Sequence, residues 1–182
     1  MKKCSVCRTP FVPKYSSLQK TCSTSCAIEF GKLETEKKAK ADWSMEKKER
    51  KEKLMTASDY RQLLQTVFNT FIRMRDEGKP CVSCDRPLVG KFDAGHFYSV
   101  GSYPNLRYDE VNVHGQCVHC NRDKHGNHAE YALRIESRIG PEGLKRLTEN
   151  RNSKLHLTIP EIQELMVLYK SKIKALKNGR PV

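Results

Sequence analysis

Over residues 56–76 apolar side chains return every three or four positions: Tyr60, Leu63, Leu64, Val67, Phe68, Phe71, Ile72 and Met74. That spacing predicts an amphipathic helix, with Thr56 or Ser58 as its N-cap and Gly78-Lys79-Pro80 as its stop. Its apolar stripe reads as core. The stretch 32–53 has the opposite character, with Leu33, Trp43 and Met45 as its only large apolar residues. Glu34/Lys38, Glu36/Lys40, Glu46/Arg50 and Glu49/Lys53 place Glu four residues before a base, the favourable orientation on a helix. The pattern predicts a charged, solvated helical spacer about 33 Å long at ~1.5 Å per residue. Residues 129–182 read as a basic helical region, broken at Gly140-Pro141 and around Asn150–Ser153. Just before it, Asn127 and Glu130 fit an N-cap and its N3 partner. Ile162, Leu165, Tyr169, Ile173 and Leu176 make a short heptad-like stripe whose default use is core packing, with a homodimer as the alternative.

Two stretches, 1–31 and 81–128, lack such periodicity and carry all eight cysteines as short pairs: Cys4/Cys7, Cys22/Cys26, Cys81/Cys84 and Cys117/Cys120. An even count also suits disulfides, but no export signal accompanies it. Pairs separated by two or three residues suit tetrahedral Zn²⁺, because a tight knuckle aims two sulfurs at one ion. The expectation is two structural zinc ions, each held by four cysteines. Residues 1–31, with a knuckle, a short loop bracketed by Pro10 and Pro13, and a second pair at a helix start, resemble a treble-clef zinc finger. So small a piece needs the metal to fold. Whether it touches DNA or a protein stays open.

The chain has 182 residues, enough for one medium domain or two small ones. Its formal charge of +13 is too basic for an ordinary metabolic enzyme and points to a polyanionic partner. Two tetrathiolate zinc centres would each remove about two charges, and the middle of the chain is close to neutral, so the excess lies at both ends. No apolar run approaches the ~20 residues of a membrane span. Met1-Lys2-Lys3-Cys4 leads into polar sequence and not a signal core. The expected location is the cytoplasm, the host's if a phage encodes the chain.

Between the last two knuckles lies Asp93-Ala94-Gly95-His96-Phe97, and Asn121 follows Cys120 directly. This order of CxxC, GH and CxxC-N resembles the zinc-braced branch of the His-Asn-His (HNH) endonucleases. The longer stretches DAGHF, NLRYDEVNVHGQC and CVHCNRDKHG resemble the NinG (Rap) recombination family of lambda-like phages. The resemblance implies a ββα-metal fold and metal-dependent hydrolysis of DNA in homologous recombination. It further implies a preference for branched DNA such as Holliday junctions and D-loops, and products with 5′-phosphate and 3′-hydroxyl ends. By the same resemblance His96 is the general base, Asn121 the motif's asparagine, and His125 a ligand of one catalytic Mg²⁺ or Mn²⁺ or a leaving-group contact. Many HNH sequences place Asp immediately before the histidine, where this chain has Gly95. Asp93 faces the same side of a strand as residue 95 but lies about 7 Å back, so it replaces that ligand only if the strand bends at Ala94-Gly95.

The expected fold is therefore α+β and mostly helical: a Cys4 finger (1–31), a charged helical spacer (32–53), an amphipathic helix with an HNH-like zinc-braced domain (54–128) and basic C-terminal helices (129–182). DNA is the expected partner, together with phage or host recombination proteins. The rival reading is a non-catalytic DNA-binding or recombination-mediator protein, which the Gly95 departure favours. An RNA-binding zinc protein ranks third, since no aromatic-rich RNP motif is visible. His125, four residues after Asn121, is expected on the same helical face, and His128 completes that face unless Gly126-Asn127 breaks the helix. His114 reads as structural, His119 as exposed within its knuckle, and His156 carries no motif.

Overall fold

The first 55 residues form a unit of their own, in which only Cys4 and Thr21 are buried and apolar side chains such as Ile28, Leu33 and Trp43 stay exposed. A second unit begins at Thr56; the computed structural model describes residues 1–180. In the first unit β1 (Lys2–Lys3) pairs antiparallel with β2 (Pro10–Phe11) across the Cys4–Cys7 knuckle. Helix α1 (Thr24–Lys53) follows, and its N-cap Ser23 accepts from the Cys26 amide at 3.3 Å. No residue of α1 is buried, so the finger's helix and the charged stretch form one solvated element. Of the four expected pairs, Glu46–Arg50 and Glu49–Lys53 close, each at 2.9 Å. Such exposed pairs add only a few tenths of a kcal/mol each.

The second unit is built on α2 (Ala57–Arg75), whose start is fixed by a capping box between Thr56 and Asp59. The predicted stripe is buried at Tyr60, Leu64, Phe68, Phe71 and Ile72. Helix α4 (Ile159–Lys177) covers it, with Tyr169 edge-on to Phe68 at 4.9 Å and tilted against Phe71 at 5.3 Å. The heptad-like stripe thus buries Ile162 and Tyr169 inside the unit.

Strands β3 (Phe92–His96) and β4 (Val113–Cys117) form an antiparallel hairpin in unbroken register, from Phe92 opposite Cys117 to His96 opposite Val113. A single π-helical turn, His119–Asp123, leads into α3 (His128–Asn150). Gly140, at φ +72°, bends α3 just before Pro141, as the sequence indicated. Tyr131, Ile135 and Leu147 of α3 pack with Val82, Phe97 and Leu106. The fold is α+β and mostly helical. Among the described residues no helix is long and apolar enough to cross a membrane.

The expected cap at Asn127 does not form. Asn127 is left-handed (φ +44°), its amide side chain donates to Cys120 Sγ at 3.5 Å, and Glu130 pairs with Arg134 instead. A sulfur needing a donor outcompetes the helix end.

One buried carboxylate joins α2 to the hairpin. Asp76 Oδ2 accepts from the Gly115 amide and from Arg75, both at 2.8 Å, while Lys79 reaches Oδ1 at 3.0 Å. Burial alone would raise its pKa, but the Arg75 guanidinium and Lys79 outweigh it and hold the group at about 2. Arg75 continues to the Glu110 and Val113 carbonyls at 2.8 and 2.7 Å.

On the opposite face of β4, His114 Nδ1 lies 3.0 Å from the Tyr131 hydroxyl, which itself donates to the Gly95 carbonyl at 3.1 Å. Burial, with Arg75 adding to it, pushes the His114 pKa down to about 4. A histidine kept neutral in the fold takes up a proton only on unfolding, so it lowers stability as pH falls from ~6.5 towards the folded value. Urea unfolding at pH 7 and pH 5.5 is expected to show His114 accounting for a loss of about 1 kcal/mol over that interval. His114→Gln removes that share of the pH dependence; an unchanged dependence would contradict the assignment.

Candidate metal centres and the His96 hairpin

Each unit draws four cysteines together. In Cys4/Cys7/Cys22/Cys26 and in Cys81/Cys84/Cys117/Cys120 the sulfurs all lie within 4.8 Å of one another. The Cys22–Cys26 and Cys84–Cys117 separations are both 3.8 Å and Cys7–Cys22 is 3.5 Å. A disulfide needs ~2.05 Å. A tetrahedron with Zn–S bonds of ~2.3 Å has edges of about 3.8 Å, so both sets fit Zn²⁺.

The two leading knuckles are built alike. The residue after the second cysteine, Arg8 or Asp85, is left-handed (φ +63° and +57°), and its amide closes the turn on the Cys4 or Cys81 carbonyl. At the second centre Arg86 Nε donates to Cys84 Sγ at 3.4 Å and the Cys117 amide to Cys81 Sγ at 3.4 Å. Burial works against the Cys84 thiolate, but Arg86 overrides it and brings the thiol down to about 6. Cys81 and Cys84 precede β3, Cys117 ends β4 and Cys120 sits in the π turn. One ion would therefore clamp both feet of the hairpin.

The residues expected to act together divide into separate places. Asp93 and Asn121 do meet: Asn121 Nδ2 donates to Asp93 Oδ2 at 3.1 Å. Arg122 grips the same carboxylate bidentately, Nε to Oδ2 at 2.7 Å and Nη2 to Oδ1 at 2.8 Å. That pair holds the Asp93 pKa below the usual carboxylate range. His96 is three residues on in a regular strand and so lies on the opposite face of the hairpin. Its Nε2 is 3.0 Å from the Arg107 carbonyl. A carbonyl only accepts, so Nε2 carries the proton and Nδ1 keeps its lone pair. Burial, with the Arg107 charge adding to it, lowers the His96 pKa below an ordinary histidine's.

His125 does not share a helical face with Asn121. The π turn ends at Asp123, and His125 is exposed in the left-handed region at φ +48°. Of the other histidines, His119 pairs with Asp123 at 3.0 Å, and His128 stacks on Phe97 with centroids 4.9 Å apart.

Gly95 has a steric reason. A Cβ there would stand 2.2 Å from Gln116 Oε1 and 3.0 Å from Gln116 Cβ. Gln116 is fully buried, and its Nε2 donates to Ser83 Oγ at 2.6 Å and the Gly126 carbonyl at 2.5 Å. No side chain enters at 95, so no ligand comes from it. Nor does the strand bend there to bring Asp93 forward, since the register runs unbroken through Ala94 and Gly95.

Sequence reasoning missed four contributors: Arg122, Arg107, Gln116 and Asn112. Asn112 is buried and ties the crossing between the strands, accepting from the Tyr98 amide at 2.7 Å and donating to the Tyr98 and Leu106 carbonyls, both at 3.0 Å. It steadies the segment that brings the Arg107 carbonyl to His96. Only the proximity of Arg122 to Asn121 was a sequence signal.

Elemental analysis of purified protein is expected to give two Zn per chain. Cys7→Ser should drop it to about one and leave the cooperative unfolding of the second unit in place, whereas Cys84→Ser should lose both one Zn and that transition. Two intact Zn in either variant would contradict these ligand sets.

Comparison with known proteins gives a consistent answer. The family model described as "Bacteriophage Lambda NinG protein" matches residues 1–179. Protein ninG of Escherichia phage 933W is 34% identical over 192 residues, covering 98% of this chain and 95% of its own length. Protein ninG of Escherichia phage lambda is 34% identical over 187 residues, covering 96% and 91%. That of Salmonella phage P22 is 32% identical over 187 residues, covering 96% and 92%. No solved structure matches. With one family model and full-length relatives from several phages in agreement, the chain belongs to the NinG family of lambda-like bacteriophages.

Proposed function

We propose that this protein is a DNA endonuclease of phage homologous recombination, acting on branched DNA in the host cytoplasm, with His96 as its general base. The observation that carries the reading is the His96 imidazole itself. Its Nε2–H is held by the Arg107 carbonyl at 3.0 Å, and burial favours the neutral ring. An Nδ1 lone pair is then available near neutral pH to take a proton. In the proposed reaction Nδ1 accepts a proton from water as the water oxygen attacks phosphorus in line. The P–O3′ bond breaks, the departing 3′ oxygen takes a proton from solvent water, the His96 imidazolium returns its proton to solvent, and 5′-phosphate and 3′-hydroxyl ends result. An ion held by the second cysteine cluster would anchor both feet of the hairpin that carries His96, which suits a site needing fixed geometry. The +13 charge suits a polyanionic substrate.

A divalent cation would stabilise charge on the scissile phosphate. The residues do not fit it as they stand, because Asp93 is ion-paired through both oxygens to Arg122 and accepts from Asn121 as well, so a cation would have to compete with the guanidinium for it. Among the described residues no third cluster of potential ligands supplements it. The same closure of Asp93 favours a second reading, a non-catalytic DNA-binding or recombination-mediator protein on a zinc-braced scaffold.

Wild type and His96→Ala, incubated with a labelled four-way junction and with linear duplex in Mg²⁺ or Mn²⁺, decide between the two. The expected result is junction cutting by wild type and a loss of about 10²–10⁴-fold in His96→Ala, with junction binding retained. Binding without cutting by wild type under either metal would sink the nuclease reading in favour of the second. Equal cutting by His96→Ala would overturn the base assignment alone.

A further inference from the structure

Arg122 projects over an open cleft of about 560 Å³ between the last turns of α2 and the start of β3. Thr70, Arg73 and Glu77 line it from the α2 side, and Lys91 and Asp93 from the hairpin side. The cleft therefore gathers three cationic side chains and two carboxylates, and one of those carboxylates is already neutralised by Arg122. We propose that this cleft is a phosphate-binding site for a nucleic-acid backbone, and that Asp93 is a positioning residue that aims Arg122 at the phosphate.

The hydrogen-bond inventory supports that assignment. A guanidinium has five N–H donors in a rigid fork. Asp93 engages two of Arg122's, on Nε and Nη2, which leaves three. Held at one edge by a carboxylate, the planar group can offer its free edge to phosphate without losing the rotamer freedom of an unrestrained arginine. Asn121 fixes the carboxylate in turn, donating to Asp93 Oδ2 at 3.1 Å. Arg73 is steadied too, its Nη2 donating to Thr70 Oγ1 at 3.1 Å. Lys91 is exposed and lies two residues before Asp93. The arrangement also gives this carboxylate a role other than cation ligand, as the ion-pair partner of Arg122.

This inference rests on the nucleic-acid part of the proposed function and not on catalysis. It makes an electrostatically counter-intuitive prediction. Removing a negative charge from a DNA-binding surface should tighten binding through the general field. Loss of a positioning residue should weaken it.

The test is fluorescence anisotropy of a labelled four-way junction and a linear duplex, in buffer without added divalent metal, across a salt series. The full-length chain is used, with zinc content and circular dichroism checked for every variant. Arg122→Gln is expected to bind about five- to tenfold more weakly and to lower the slope of log K against log salt by about one. Lys91→Gln, a change at an exposed side chain that leaves the fold intact, should weaken binding about threefold and lower the slope likewise. Asp93→Asn should weaken binding about threefold in the wild-type background and not at all in the Arg122→Gln background, because the two act as one unit. Binding by Asp93→Asn equal to or tighter than wild type would overturn the positioning role. Unchanged affinity and slope in both Arg122→Gln and Lys91→Gln would overturn the site. No DNA binding by wild type would overturn this site together with the nucleic-acid reading, whereas binding without cleavage leaves the site standing and removes only the nuclease.

Discussion

Four cysteine sulfurs within 4.8 Å of one another, two of them on residues fully shielded from solvent, are a constraint the second unit must satisfy before anything else. As thiolates they repel, and as thiols they leave weak donors crowded together; a bound dication resolves both. The surrounding chain is organised around that need. Arg86, the Cys117 amide and Asn127 each turn a donor towards a sulfur. Asn127 gives up its capping role to do so, and Asp85 accepts a left-handed backbone. Because the four ligands come from before β3, the end of β4 and the π turn, satisfying the sulfurs fixes the hairpin and the entry to α3 together.

A second tie holds the hairpin to α2 and is purely electrostatic. Asp76 is buried, yet it stays ionised because Arg75, Lys79 and the Gly115 amide surround it. Removing one partner from such a set costs far more than the set contributes against an apolar replacement. Gly115 is where the two ties cross. Its amide goes to Asp76, its carbonyl accepts from Val82 beside Cys81, and a Cβ there would stand 2.8 Å from Leu88. The hairpin is thus braced by metal ligands at its feet and by a charge network along one face. His96 and Asp93 consequently face separate, well-defined surroundings.

Features carried by spacing or local chemistry were legible in the sequence. The α2 stripe, the Thr56 cap, the bend at Gly140-Pro141 and the two cysteine sets follow from periodicity, side-chain reach or turn chemistry within a few residues. What escaped depends on where distant segments cross. Asp93 and Arg122 are separated by 28 intervening positions, and nothing in either neighbourhood announces that a carboxylate read as a cation ligand is closed by a guanidinium. The Arg107 carbonyl that sets the His96 tautomer is a backbone group, invisible to residue-type reasoning. Gly95 looked like a missing ligand, and its cause lies across the ladder in the buried Gln116 side chain. Asn127 carried the signature of a helix cap, but a cysteine seven residues earlier had the stronger claim on its amide.

The central claim is that the braced hairpin presents His96 as a neutral imidazole with its proton on Nε2. Nitrogen-15 NMR of the histidine side chains, assigned with His96→Gln, measures this directly in the full-length, zinc-loaded chain. The account predicts that His96 at pH 7 is the Nε2–H tautomer, with Nδ1 unprotonated and a titration midpoint below that of an unperturbed histidine. An Nδ1–H tautomer, or an imidazolium at pH 7, would contradict it.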